Sequence, residues 1–297
     1  MTIGFPGERV RSKDEPCALC GSNEGLKLSH LIPKFVFQHA STRSPTGFLR
    51  TNLTPNKRSQ DGPKEYLLCG SCERLFSNWE RCFARTFKKN YTSTGSNFVY
   101  QKEDALAVLS ILWRILANIR GHTELNHLTL GSDYIRTDAA FERWKAVIFG
   151  NSSNPGPFRI YWFWPDNFIS GPSSINRYTF HCCDFDLLAS FTRSFVVVHL
   201  PGCFLIGVLE DHDRAEFRGL DLSFSGGRYL RSEQKSAPMW LKDYIEQKMT
   251  TRESALSEIS DIQTAKINET VLRDPEKAIR SPLFRSILFD RRIDRLE

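Results

Sequence analysis

The chain has 297 residues, which is long enough for two domains and too long for one small zinc module. Hydrophobic residues make up 40% of the chain and charged residues 25%, a balance that excludes wholesale disorder. The sequence contains no run of eighteen apolar residues and no apolar signal core near its first residue, so we expect no membrane partner and a cytoplasmic location.

The formal net charge of +6 is distributed unevenly along the chain. Residues 1–100 hold fifteen Lys and Arg against eight Asp and Glu, a net charge of +7, whereas the rest of the chain has a net charge of −1. Positive charge concentrated in one part of a protein favours nucleic-acid phosphates as partners. A solvated basic face explains the same count equally well.

The first third of the chain is predicted to hold a charged lead-in, residues 1–16, and a small mixed module, residues 17–95. Short strands are predicted at Leu26–Ile32 and Tyr66–Cys69. Between them lies a loop rich in Ser, Thr, Pro, Asn and Gly, from about Ala40 to Pro63. After the second strand, apolar residues at helical spacing predict a helix that ends near Asn90.

The remainder is predicted to hold a helical connector (residues 96–150), an α+β recognition or assembly domain (151–250) and a helical tail (251–297). Helices are expected at Lys102–Ile119 and Asp133–Phe149. Strands are expected at Arg159–Trp164, Arg177–Cys183, Phe195–Leu200 and Phe204–Leu209, the last two joined by a hairpin turn. The aromatic residues Trp162, Phe163, Trp164 and Phe168 suit either a buried core or a protein interface. The expected fold class is therefore α+β.

Eight cysteines in a chain of this composition argue for metal binding rather than a disulfide framework. Cys17 and Cys20 form one CxxC pair, and Cys69 and Cys72 form another. Four thiolates satisfy tetrahedral Zn²⁺, so we predict one structural zinc site. The other four cysteines lie in apolar surroundings and are predicted to be core residues: Cys82, Cys182, Cys183 and Cys203.

The order of motifs in the module resembles the zinc-stapled form of the HNH, or ββα-metal, endonuclease superfamily. The matching pieces are CALC, SHLIP, the Asn-containing loop TNLTPNKRSQDG, and LLCGSCE leading into a helix, and together they cover about residues 17–90. The resemblance implies a metal-dependent endonuclease that hydrolyses phosphodiester bonds with Mg²⁺ or Mn²⁺. His30 matches the family's general base, against the alternative of a structural histidine.

Two positions depart from the family pattern at the catalytic metal. Ser29 stands where the family usually has a metal-binding Asp, and a neutral hydroxyl is a poor Mg²⁺ ligand. Glu73 stands where the family commonly has its last His or Asn, and its carboxylate would bind Mg²⁺ well. Glu80 lies two helical turns further on the same face and is a second candidate ligand. The alternative for both is an ordinary Glu in the first turns of a helix.

The middle Asn of the family has no counterpart at the usual short distance before Cys69. Asn56 is the candidate, with Asn52, Gln60 and Asp61 as alternatives, and plain turn chemistry would explain all four. Cations in or beside the same loop are candidate contacts for nucleic-acid phosphates: Arg43, Arg50, Lys57, Arg58 and Lys64.

The sequence as a whole predicts an endonuclease that acts on DNA before RNA, with structural Zn²⁺ and catalytic Mg²⁺ or Mn²⁺. Its two-part layout resembles nuclease effectors of bacterial anti-phage defence, which implies an activating protein partner or self-assembly through the C-terminal half. The alternative is a non-catalytic zinc-containing nucleic-acid-binding or scaffold subunit of a larger complex. The sequence leaves open the target, the trigger and the oligomeric state.

Overall fold

The computed structural model describes residues 2–3, 11–91, 97–121, 132–165, 175–189, 193–211, 221–230 and 238–293. The helices are α1 (Lys34–Arg43), α2 (Gly70–Tyr91), α3 (Lys102–Gly121), α4 (Ser132–Ile148), α5 (Ile175–His181), α6 (Met239–Ser257), α7 (Asp261–Arg273), α8 (Pro275–Arg280) and α9 (Pro282–Ile293). The strands are β1 (Thr2–Ile3), β2 (Leu26–His30), β3 (Lys64–Cys69), β4 (Phe98–Tyr100), β5 (Ile160–Phe163), β6 (Asp184–Ala189), β7 (Arg193–Leu200), β8 (Cys203–Asp211) and β9 (Gly227–Tyr229). The mixture of helix and antiparallel sheet is that of an α+β protein.

The largest sheet has five antiparallel strands in the order β1-β6-β7-β8-β5. Strands β7 and β8 form the predicted hairpin, with Leu200 opposite Cys203 and a tight turn between them. Gly202 in this turn has φ +83°, and a Cβ there would lie 2.9 Å from the ring of Tyr91. Glycine is therefore required both by the backbone and by the close approach of α2.

The core is organised around α3, whose side chains are buried from Asp104 to Ile119. A helix that is hydrophobic on all faces needs neighbours on all faces. Here α3 packs against α2 and α4 and also against β3 and three strands of the large sheet, β6, β7 and β8. One cluster of buried apolar side chains consequently extends from Cys17 to Met249.

The predicted N-terminal module contains an antiparallel pair, β2 and β3, with α1 between the two strands in the chain and α2 directly after β3. In the register of this pair, Leu26 lies opposite Cys69 and His30 lies opposite Lys64. The long helix α2 buries Phe76, Phe83 and other apolar residues against α3. A two-stranded ribbon is marginally stable alone, so its packing on α2 and α3 contributes to holding this part of the chain in place.

The tail consists of three helices that differ in how they contact the rest of the molecule. None of the residues of α7 is buried. Its N-terminus is fixed by Ser260, whose hydroxyl accepts a hydrogen bond from the Gln263 N–H. By contrast, α9 packs on α5 and places the buried carboxylate of Asp290 beside Arg177.

Two predicted segments have a different structure, and strands β4, β6 and β9 lie where no strand was predicted. Arg177–Cys183, predicted as a strand, lies mostly in helix α5. Its β-branched and aromatic residues favour a strand locally, but Asp290 accepts hydrogen bonds from the Asn176 and Arg177 N–H groups and so caps the helix from a distant part of the chain. The loop predicted from Ala40 begins only after Arg43, because Val36, Phe37 and Ala40 form the buried face of α1.

The cysteine and aromatic predictions have mixed outcomes. Cys203 is buried as predicted, whereas the other three cysteines outside the CxxC pairs are only half-buried: Cys82, Cys182 and Cys183. Trp162, Phe163 and Trp164 are core residues, and Phe168 lies outside the described residues. Within the described part of the chain, no helix is both long and apolar enough to cross a membrane.

Candidate metal centre and histidine site

The two CxxC pairs converge at one end of the β2–β3 ribbon. Cys17 and Cys20 lie in a turn closed by hydrogen bonds from the Gly21 N–H to the Cys17 carbonyl and from the Cys17 N–H to the Ser22 carbonyl, both 2.8 Å. Cys69 ends β3 and Cys72 lies in the first turn of α2. Local turn and helix geometry thus presents two thiols from each side.

The geometry of the four thiols fits a tetrahedral metal. All four Sγ atoms lie within 4.8 Å of one another, and Cys20 Sγ is 3.7 Å from Cys69 Sγ. A zinc ion with Zn–S bonds of about 2.3 Å separates its sulfurs by about 3.8 Å. Cys17 Sγ also accepts a hydrogen bond from the Cys69 N–H at 3.3 Å. The cysteines are therefore close enough to bind a metal, which agrees with a zinc-stapled module.

The crowding of the thiols affects their pKa values in opposite directions: burial would raise the pKa of Cys69, but hydrogen bonds from Cys72 and Cys20 outweigh it and lower that pKa. Burial and the charge of Cys17 raise the pKa of the Cys72 thiol far above its ordinary value. Burial likewise raises the pKa of Cys20. Thiolates this crowded are unfavourable without a cation among them, so a bound divalent metal would stabilise both the thiolates and the fold.

His30 ends β2, and its side chain is 17% exposed. Its Nε2 forms a hydrogen bond with Asp61 Oδ1, and its ring lies 6.3 Å from that of Phe37. No hydrogen-bond partner of Nδ1 is found within the described ranges of the chain. With Nε2 donating to the carboxylate, Nδ1 holds the lone pair, so His30 is oriented by Asp61 and has one nitrogen left to accept a proton.

Asp61 is held as a carboxylate by three donors. Lys64 Nζ lies 2.6 Å from Asp61 Oδ2, His30 contacts Oδ1, and the Gly62 N–H donates to Oδ1 at 3.1 Å. Burial alone would raise the pKa of Asp61, but the hydrogen bonds from Lys64 and His30 outweigh it and hold the pKa well below its usual range. Of the four loop residues predicted as candidates for the family Asn, Asp61 is the one that contacts His30.

Glu73 lies in the first turn of α2, and its Oε1 is buried without a hydrogen-bond partner. Burial raises the pKa of this carboxyl, while the charge of Arg114 and the hydroxyl of Ser29 offset the effect in part. The two residues that depart from the family pattern, Ser29 and Glu73, are thus neighbours. The carboxylate oxygen of Glu73 is an oriented but unsatisfied acceptor.

Arg114, from the centre of α3, is the member of this site that sequence reasoning missed. Its guanidinium lies 2.5 Å from Glu80 Oε1 and donates to the His30 carbonyl at 2.9 Å. It is 3% exposed. The available signal was a charged residue in the middle of an otherwise apolar helix, since such a residue needs a buried partner.

The predicted site residue Asn56 lies apart from this group. Its side-chain amide donates to the Glu258 carbonyl at 2.9 Å and its oxygen accepts from the Ser260 N–H at 2.8 Å. Both polar atoms therefore bind the segment before α7. The other two alternatives, Asn52 and Gln60, are exposed.

The five predicted phosphate-binding cations have different surroundings. Arg43 lies over the ring of Tyr91 and Arg58 over that of Phe48. Arg50 donates to the Pro55 carbonyl and to Gln263. Of the two lysines, Lys64 is paired with Asp61 and Lys57 is exposed.

Comparison of the chain with protein-family models, with curated proteins and with solved structures finds no match. The resemblance to the HNH superfamily therefore rests on the order of motifs in the sequence.

Proposed function

We propose that the protein is a metal-dependent endonuclease of the HNH type. The observations that carry the proposal are the His30–Asp61 pair at the end of β2 and the unsatisfied Oε1 of Glu73 in the first turn of α2, on a ribbon and helix joined by four clustered cysteines. A histidine bound to a carboxylate is a common general base. An unpartnered buried carboxylate is a common metal ligand.

In this proposal His30 activates water. Nδ1 accepts the proton of a water molecule as its oxygen forms a bond to phosphorus and the bond to the leaving oxygen breaks. Asp61 stabilises the imidazolium that results, and Lys64 keeps Asp61 ionised. The leaving oxygen takes its proton from solvent. The imidazolium later releases to solvent the proton that Nδ1 accepted from water.

Glu73 is the residue that would hold a catalytic divalent cation. Its Oε1 fits the role because it is buried and has no partner. Bound Mg²⁺ or Mn²⁺ would supply Lewis-acid stabilisation of the charge that develops on phosphate. Glu80 supports this less well, because its carboxylate is already paired with Arg114.

The substrate class that we propose is nucleic acid, DNA before RNA. The charge of +7 on residues 1–100 supports a phosphate-rich partner. Nothing in the loop offers a helix or strand for reading base edges, so little sequence specificity is expected. Regulation by a partner or by self-assembly through the C-terminal half, as in an anti-phage effector, belongs to the same proposal.

Plasmid nicking by the zinc-loaded full-length protein, with Mg²⁺ or Mn²⁺, tests the proposal. His30→Ala should lower the rate by about 10²–10⁴-fold because a general base contributes that much. Asp61→Asn should lower it by at least about tenfold, because the amide no longer stabilises the imidazolium. Glu24→Gln, an exposed change before β2, is the matched control and should retain activity.

The zinc content and melting temperature of each variant show whether a loss of nicking comes from a lost catalytic group or from a lost fold. Loss of nicking in His30→Ala with unchanged zinc and melting supports a catalytic role. Equal nicking rates in wild type and His30→Ala would show that His30 is structural and that the mechanism is wrong.

A second function is favoured by one observation. Arg114 already places a positive charge beside Glu73 and Glu80, which lowers the attraction of this site for a divalent cation. We propose as the alternative a zinc-containing nucleic-acid-binding or scaffold module without catalysis. It predicts binding of duplex DNA by the full-length protein with no cleavage at any Mg²⁺ or Mn²⁺ concentration.

A further inference from the structure

Tyr91, at the end of α2, contacts an imidazole and a guanidinium of α1, and further cationic or imidazole side chains of α2, α5, α6 and α9 interact electrostatically with this group. His39 and Arg43 of α1 contact its ring, with centroids 4.4 Å apart for His39 and the Arg43 guanidinium carbon 4.1 Å from the centroid. The Tyr91 hydroxyl donates to the Phe180 carbonyl at 2.7 Å. We define the Tyr91 cluster as Tyr91 together with His39, Arg43, Lys88, His181, Arg252 and Arg285.

The far side of the cluster is formed by the C-terminal half. His181, next to Phe180, forms a hydrogen bond of 2.9 Å with the Ser286 hydroxyl of α9. The preceding residue of α9 is Arg285, which is exposed. Helix α5, which carries His181, packs on both α6 and α9. The cluster is therefore a junction between the cysteine module and the C-terminal helices.

Polar atoms in the cluster lack partners. Arg43 Nε and His39 Nε2 are buried and have no hydrogen-bond partner in the described part of the chain. Two carboxylates on the adjoining elements are already paired: Asp184 of β6 with Lys248, and Asp290 of α9 with Arg177. Buried polar atoms without partners cost free energy, and neither Arg43 nor His39 forms an ion pair with a carboxylate among the residues that the structure describes.

Burial and the positive charges in the cluster lower the pKa values of its histidines and of Arg43. Burial and the charges of Arg43 and Lys88 lower the pKa of His39 to about 4. Burial and the charges of Arg43 and Arg252 lower the pKa of His181 to about 3. Burial, and to a lesser degree the charge of Arg285, also lowers the pKa of Arg43, although the neighbouring Tyr91 opposes this.

We propose that the Tyr91 cluster is a binding site for a small anion that carries a phosphate group. Guanidinium groups bind phosphate oxygens through paired N–H donors, and neutral imidazoles and the Ser286 hydroxyl add further donors. Arg43 then serves this ligand rather than the backbone of a nucleic-acid substrate. The proposal is independent of nuclease activity, since it uses neither His30 nor the cysteines.

The test is calorimetric titration of the zinc-loaded full-length protein with pyrophosphate, at constant ionic strength in chloride. Inorganic phosphate, adenosine diphosphate and short single-stranded DNA form the other arms. Arg43→Gln and Arg285→Gln should each weaken pyrophosphate binding by at least about tenfold, because each removes a charge-assisted hydrogen bond. Arg285 is exposed, so its variant is expected to fold even if Arg43→Gln does not.

The matched control is Arg280→Gln, which removes an exposed arginine paired with Glu276 on the neighbouring helix α8. Its affinity should stay within about twofold of wild type because exposed ion pairs contribute little. Absence of saturable binding of all three phosphate compounds would overturn the proposal. Equal affinities in the wild type, Arg43→Gln and Arg285→Gln would also overturn it. Binding of DNA alone would assign the cluster to a nucleic-acid backbone and would overturn the small-anion site.

Discussion

A single buried charge, Arg114, connects the histidine site to the core of the molecule. It is 3% exposed and bonds both Glu80 and the His30 carbonyl. Replacing it with Met keeps most of the volume but leaves Glu80 without its partner. We expect Arg114→Met to lower the free energy of unfolding by about 3–5 kcal/mol, the usual effect of breaking a buried pair on one side.

Urea unfolding of four proteins checks this prediction. In the double variant Arg114→Met with Glu80→Gln, the unpaired carboxylate is gone, so part of the lost stability should return. Arg81→Met on the exposed face of α2 is the matched control and should change stability by less than about 0.5 kcal/mol. A loss for Arg114→Met no larger than that of Arg81→Met would mean that the Glu80 pair contributes nothing.

At the scale of elements, the cysteine cluster joins the end of β3 and the start of α2 to the turn before β2. Because the β2–β3 ribbon has only two strands, we expect its order to depend on bound metal. Wild-type protein purified without added metal should contain about one Zn per chain. Cys69→Ser should lose that zinc and melt roughly 10 °C or more below wild type.

Cys82→Ser provides the matched control for the zinc prediction. Cys82 lies on the same helix as Cys72 but outside the cluster, and it is half-buried. Elemental analysis should therefore find unchanged zinc in this variant, with a melting temperature close to that of wild type. An unchanged zinc content in Cys69→Ser would contradict the four-cysteine site.

At the scale of the whole molecule, a histidine in the common core makes stability depend on pH. His199 of β7 is fully buried, bonds the Thr179 carbonyl at 2.9 Å and packs on Phe204. Burial lowers its pKa from 6.5 to about 4. Between these values the unfolded chain binds a proton that the folded chain does not, so this contribution to stability is lost as pH falls.

Relative to His199→Gln, the wild type should lose about 1.4 kcal/mol per pH unit between pH 6 and 4.5, measured by urea unfolding. Relative to Asp186→Asn, by contrast, the wild type should lose stability as pH rises. Burial and the charge of Asp184 raise the pKa of Asp186 from 3.8 to about 6, so its contribution is present at low pH and lost as pH rises to about 6. Parallel pH profiles for wild type and His199→Gln would contradict the assignment of a neutral folded-state imidazole.

Patterns confined to short stretches of sequence predicted their structures well. The CxxC spacing predicted the four-cysteine cluster, and the apolar period predicted α2 and α3 nearly to their ends. The Pro201–Gly202 pair marked the hairpin. Such features depend on local geometry, in which a few residues determine the backbone. The clustering of the four cysteines was predictable for this reason.

Contacts between distant residues decided the rest. Asp290 turns an apparent strand into α5 by capping it, and Arg114 reaches the histidine site from a helix that the sequence assigned to a connector. Asp61 rather than Asn56 meets His30, because Asn56 is bound to the segment before α7. Each of these contacts joins residues that are distant in the sequence. They come together because the shared core is buried, and no local pattern of residue types predicts which distant residues meet. The sequence by itself determined which residues could bind metal and accept protons; the tertiary structure decided which of them meet.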